Sequence, residues 1–296
     1  MSSPQIAILT DSTCDIPPEL LEEYHIHVIP QRVIWGEETY RDRIDISPEI
    51  FYRRLEKEAQ YPTTTQPSPA DFQSTYQEIF SGGAQTILTF TVSSAMSGTY
   101  RLARQTAEEM ERPIRVIDSK GPTMSLGWQV LAAARAREQG GSVEEIIRQA
   151  DLVRDSLNQI VYLNTLKYLH KGGRIGTAAR WIGGMLNFKP LVRINHQSGE
   201  VEPAGRARTE HNGLDMLWDK FFQPFEPAKP THIAVLHGSA PERAQALAER
   251  IQSEIQPQEL ILNITGPVLG VNTGPGALAL CGYRQSGAES PGKGRF

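Results

Sequence analysis

The segment Ile6–Tyr24 reads IAILTDSTCDIPPELLEEY. Its first four residues are a continuous β-rich apolar run, and a loop of hydroxyls and aspartates follows. Pro17 and Pro18 then open a helix, as proline at a first helical position does. The same order recurs downstream. Thr86–Val92 (TILTFTV) is a buried strand followed by a helix from Ser97 to Met110. Ile114–Ile117 (IRVI) is a strand followed by a helix of small residues from Leu126 to Gln139. Strands alternating with helices in this way form a parallel sheet covered on both faces, so the expected class is α/β with a doubly wound N-terminal sheet.

Between these units, His27–Pro30 and Arg32–Trp35 read as one strand and its turn, and Ser47 caps a helix that begins at Pro48. Thr63–Thr65 falls in a proline-bounded loop, and Asp71–Phe80 is helical. Gly140 and Gly141 punctuate the chain before an amphipathic helix over Val143–Asn158, and Ile160–Leu163 starts a second round of strands. There Leu191–Ile194 and Glu200–Glu202 form a hairpin. Ile233–Leu236, Ile261–Ile264 and Ala277–Leu280 are strands, and Glu242–Ile255 is a helix. Two α/β domains are expected, 1–158 and 159–283, the second with a mixed sheet. The tail 284–296 has no large apolar residue until its final Phe and is expected to be disordered.

With 39% hydrophobic and 22% charged residues, the 296-residue chain is globular in composition. A formal net charge of −4 supplies no positive field for nucleic acid or anionic lipid. Cys14 and Cys281 are far apart in sequence and in no metal-ligand spacing, which fits a reducing compartment, the cytoplasm by default. No basic leader precedes an apolar core, and no apolar run approaches the roughly 18 residues of a membrane span.

Ligands of doubly wound sheets sit beyond the carboxyl ends of the strands. The residues there are mostly hydroxyls: Thr10, Ser12 and Thr13 after the first strand, and Ser93, Ser94, Ser97 and Thr99 after Val92. Hydroxyls and backbone N–H groups at a helix start hold a carboxylate or phosphate without a full positive charge, although the same residues also serve as plain caps. Lys171–Gly176 (KGGRIG), leading into a helix over Thr177–Met185, reads either as an anion nest or as a helix C-cap followed by an N-cap. It lacks the Walker spacing. Gly270–Gly276 (GVNTGPG) is a tight turn. Asp11 and Asp15 raise a magnesium-dependent phosphotransferase as an alternative, but their spacing suits caps and turns better. The histidines His25, His27, His170, His196, His211, His232 and His237 show no metal-site spacing and read as structural or surface residues. No GxSxG elbow is present.

Five blocks taken together, ILTDSTCD (Ile8–Asp15), TTQPS (Thr64–Ser68), SSAMSGTY (Ser93–Tyr100), YLHKGGRI (Tyr168–Ile175) and GVNTGPG (Gly270–Gly276), resemble the DegV family in order from about Ile6 to Leu280. The resemblance implies a two-domain α/β protein that buries a long-chain fatty acid between its domains. Hydroxyls hold the carboxylate, and no cofactor is needed. Some members act as the acyl-binding subunit of a fatty acid kinase, handing the acid to a separate ATP-dependent subunit and contributing no catalysis alone. By position, Thr64, Thr65, Ser94 and Ser97 are the head-group candidates, supported by Ser93 and the Gly98 backbone. The family's Thr-Ser-Gln-Pro block carries Thr65 here in place of its Ser. Asn272 stands where the family commonly has His, which replaces a titratable ring by an amide. Arg174, Arg206 and Arg208 are candidates for docking the kinase.

A sixteen-carbon tail offers on the order of 10 kcal/mol of burial before ordering costs, so the tail supplies affinity. The carboxylate needs several donors, because a desolvated and unpaired anion would protonate instead. Trp181, Ile182, Met185, Leu186 and Phe188 are the apolar residues expected to line the tail.

Overall fold

The computed structural model describes residues 5–181 and 188–285. Its first part runs β1 (Ile6–Asp11), α1 (Pro18–Glu23), β2 (Ile26–Ile29), β3 (Arg32–Trp35), β4 (Glu38–Arg41), α2 (Pro48–Lys57), β5 (Thr63–Thr65) and α3 (Pro69–Ser81). It continues with β6 (Thr86–Thr91), α4 (Thr99–Glu109), β7 (Ile114–Asp118), α5 (Met124–Glu138) and α6 (Val143–Ser156). Start signals in the sequence set many helix boundaries. Ser47 Oγ accepts from the Ile50 N–H at the head of α2, and Ser68 with Asp71 forms a reciprocal capping box on α3. Strands β2-β1-β6-β7 form a parallel sheet. Phe72, Tyr76 and Ala103 from α3 and α4 cover one face, and α5 covers the other.

Two expectations change here. His27–Pro30 and Arg32–Trp35 are not one strand with its turn: Pro30 and Gln31 divide them, and the two halves enter different sheets. Thr63–Thr65 is not a loop but a short strand, so β4-β3-β5 make a small antiparallel sheet beside the first.

The remainder runs β8 (Asn158–Tyr162), α7 (Lys167–Gly172), β9 (Lys189–Asn195), β10 (Glu200–Ala207), α8 (Glu210–Phe222), β11 (His232–His237), α9 (Pro241–Glu254), β12 (Glu259–Ile264), α10 (Pro267–Thr273) and β13 (Leu278–Tyr283). A six-stranded mixed sheet of order β10-β9-β8-β13-β11-β12 results, with only β11 and β12 parallel. Leu217 and Phe221 of α8 and Ala244 and Ile251 of α9 pack on its outer face. The helix expected over Thr177–Met185 is a 3-10 turn over Gly176–Trp181, and 182–187 lie outside the described residues. Of the tail, only Arg284 and Gln285 are described.

Helix α5 is buried on nearly all sides, lying between the layers. Its Trp128, Val130 and Leu131 share one core with Ile8 and Phe90 of the first sheet and with Ala234, Leu236 and Cys281 of the second. Helix α10 also crosses back, placing Val268 and Val271 against Val33, Trp35 and Phe51 beside the small sheet. Among the described residues, no helix is long and apolar enough to cross a membrane.

Candidate functional site

Beyond the carboxyl ends of β1 and β6, the two large sheets do not close on each other. A mainly apolar cavity lies there. One wall follows from strand alternation. Gln159, Val161 and Leu163 project inward from β8 and its end, Val192 and Ile194 from β9, and Val201 from β10. Ile160, Tyr162 and Leu191 alternate outward into the core under α8. Val92, Met96, Leu169, Val268 and Leu269 complete the apolar lining.

Polar groups gather where α7, α10 and β5 meet. Thr64, Ser97, Asn272, Thr273 and Arg174 all line the cavity, with Thr13 and Gln31 beside them. Ser97 Oγ lies 2.8 Å from Thr99 Oγ1 and accepts from the Thr99 N–H at the start of α4. Asn272 Nδ2 donates to the Val268 carbonyl one turn earlier, leaving its second proton for a ligand. Arg174 bridges the two halves: Nε donates to the Met96 carbonyl at 3.0 Å and Nη1 to the Gly172 carbonyl at 2.6 Å. Arg174, expected as a docking cation, is exposed and also lines the cavity.

Other expected residues lie elsewhere. Thr65 follows Thr64 in β5, so alternation turns it away from the cavity. Ser93 is buried but outside the lining; its Oγ donates to the Gly199 carbonyl in the β9–β10 turn, fastening the two halves. Ser94 is exposed, with its N–H on Asp118 Oδ1 and its Oγ facing Lys120 Nζ at 3.5 Å. Gly98 is the N-cap of α4, where an added Cβ would collide with the Gln66 carboxamide, so its role is close packing beside Ser97. Arg206 lies over the rings of Trp181 and Phe188, and Arg208 is exposed. Trp181 and Phe188 are therefore not part of the tail lining, while Ile182, Met185 and Leu186 fall outside the described residues.

The aspartates at and beyond the end of β1 are occupied structurally. Asp11 accepts from Thr13 Oγ1 at 2.6 Å, the Thr13 N–H and the Val92 N–H, tying β1 to β6. Asp15, at φ 50° behind the first turn, pairs with Arg43 at 2.6 Å and accepts from the Gly266 N–H. Burial pushes both carboxyls up from their ordinary range. Among the described residues, no three His, Cys, Asp or Glu side chains converge as a metal site requires. The phosphotransferase alternative thus finds no support.

The Lys171–Gly176 segment is a helix terminus: Gly173, at φ 73°, ends α7, with its N–H on His170 and that of Arg174 on Leu169. GVNTGPG is not a turn throughout; its first four residues complete α10, and only Gly274 and Gly276 turn at positive φ. Gln31, Thr123 and the inner faces of β8, β9 and β10 escaped sequence reasoning. The alternation in LVRI and its neighbours was the available signal.

Fold and cavity define an α/β protein whose two large sheets border a mainly apolar cavity that also carries hydroxyl, amide and guanidinium groups. The chain belongs to the DegV family: the family model described as "Uncharacterised protein, DegV family" matches residues 5–285. A DegV domain-containing protein of Streptomyces coelicolor is 34% identical over 279 residues, covering 94% of this chain and 98% of the relative. A DegV family protein from Thermus thermophilus, described for its fatty acid binding, superposes with a TM-score of 0.87 at 31% identity, covering 95% of this chain and all of that one. DegV of Bacillus subtilis, described as a fatty acid binding protein, gives a TM-score of 0.86 at 28% identity over 96% of this chain and all of that one.

Proposed function

We propose that the chain binds one long-chain fatty acid, with the tail along the apolar wall and the carboxylate among Thr64, Ser97, Asn272 and Arg174. A single observation carries the reading: an apolar cavity into which the hydroxyls of Thr64 and Ser97, the Asn272 amide and the Arg174 guanidinium are brought by β5, α10 and the segments around them. Fatty acid binding by relatives that share the full fold supports it. The tail provides affinity by leaving water, and the donors make the anion tolerable once it is desolvated. In this reading the chain supplies no catalytic group. It presents the acid to a separate ATP-dependent kinase subunit, for which exposed Arg206 and Arg208 offer docking cations.

Native mass spectrometry of the purified protein should find a bound fatty acid, and the delipidated protein should take up hexadecanoic acid in a one-to-one ratio. A chain that can neither retain nor reload an acid refutes the proposal. If the acid binds but no fatty acid kinase subunit with ATP converts it to acyl phosphate, the carrier role alone falls.

A further inference from the structure

The cavity has a second polar point, at the end away from the carboxylate donors. Along β8, Leu163 stands at the end that leads into α7 and Arg174, and Gln159 stands four residues of strand earlier, about 13 Å away. Gln159 lines the cavity, is 1% exposed, and its Nε2 has no hydrogen-bond partner among the described residues. The other end of its carboxamide contacts Ser125 Oγ, which also lies 2.8 Å from His196 Nε2 and 3.5 Å from Cys281 Sγ. Burial holds the His196 ring down at about 4, so this cluster is uncharged near neutral pH. Thr123 lines the cavity at the same end, its backbone held at φ 54°.

Ser125 has one proton and engages one polar atom of the carboxamide. Whichever way that amide is turned, its other polar atom remains without a partner. A plain hydrocarbon tail ending against it would leave a buried polar group unpaired, which is the arrangement that discriminates most strongly against a ligand lacking the matching group. A hydroxyl both donates and accepts, so it pairs with either amide atom. We infer that Gln159 is a second recognition point and that the chain accepts acyl chains carrying a hydroxyl in their distal half. The inference rests on the fatty-acid reading.

The test is competition binding to the delipidated full chain, using hexadecanoic acid and its derivatives hydroxylated near the methyl end or beside the carboxylate. The readout is the affinity of each hydroxy acid relative to the plain acid, in wild type and in Gln159→Leu. The variant should lower that ratio on the order of tenfold for distal hydroxylation alone, while the plain acid binds as well or better. A ratio unchanged within about twofold overturns the inference, as it would if a resident water already satisfied Gln159. Gln159→Met serves as a second variant should the leucine fail to fold. If wild type binds no acid of either kind, the fatty-acid reading itself has failed.

Discussion

Ser94 and Ser97 lie in one short loop and face different surroundings. Ser97 lines the cavity with its hydroxyl braced by Thr99, whereas Ser94 stands in solvent beside Lys120. A carboxylate in the cavity gains a charge-assisted hydrogen bond from the first and nothing from the second. Ser97→Ala should therefore weaken fatty acid binding by about 1–3 kcal/mol, while Ser94→Ala changes it by less than about 0.5 kcal/mol. Titration calorimetry of both variants checks the contrast, and equal losses would place the head group elsewhere. The hydroxyl cluster itself was legible, because residue type and position after a strand are sequence properties. Direction was not. Ser93 turns to the Gly199 carbonyl because a hairpin more than a hundred residues later folds over it, and no local pattern encodes that meeting.

At the scale of elements, the parallel strands and capped helices were legible because each carries its own signal: an apolar run, a serine N-cap, a proline at the first turn. The small sheet was not, since β5 contributes only three threonines and becomes a strand by pairing with β3. That pairing also decides which threonine faces the ligand. Helix α10 was hidden by Gly270 and the glycines that follow it; Gly270 sits in the helix because a Cβ there would press on Phe51 and Tyr52. Gly127 in α5 is similar. Alanine is normally worth up to about 1 kcal/mol more than glycine inside a helix. Here a Cβ would sit 2.6 Å from the Cys14 carbonyl oxygen, in the turn that follows β1. Backbone on both sides cannot yield cheaply, so Gly127→Ala should destabilise by about 1–3 kcal/mol in denaturant unfolding. A stabilising effect would mean that α5 sits further from that turn.

At the scale of the molecule, the cavity belongs to neither sheet alone. Its walls come from strand ends of the first sheet, the inner face of the second and a helix that crosses between them, so filling it joins all three. Sequence reasoning located the strand ends but placed the tail wall in the segment around Trp181, whose ring instead stacks under Arg206. The true wall depends on which face of β8–β9–β10 α5 leaves uncovered, a property of assembled layers. A ligand that binds only the assembled state stabilises it by mass action, about 2.7 kcal/mol at a hundredfold excess over Kd. Delipidation should thus lower Tm by several degrees, and added hexadecanoic acid should restore it in a concentration-dependent way. Val192, 2% exposed in the middle of the wall, tests whether the cavity is where that energy arises. Val192→Trp directs a large ring into space the tail would occupy, so the variant should fold yet show no rise in Tm with acid. A folded variant whose Tm still climbs like the wild type would put the bound tail outside this cavity.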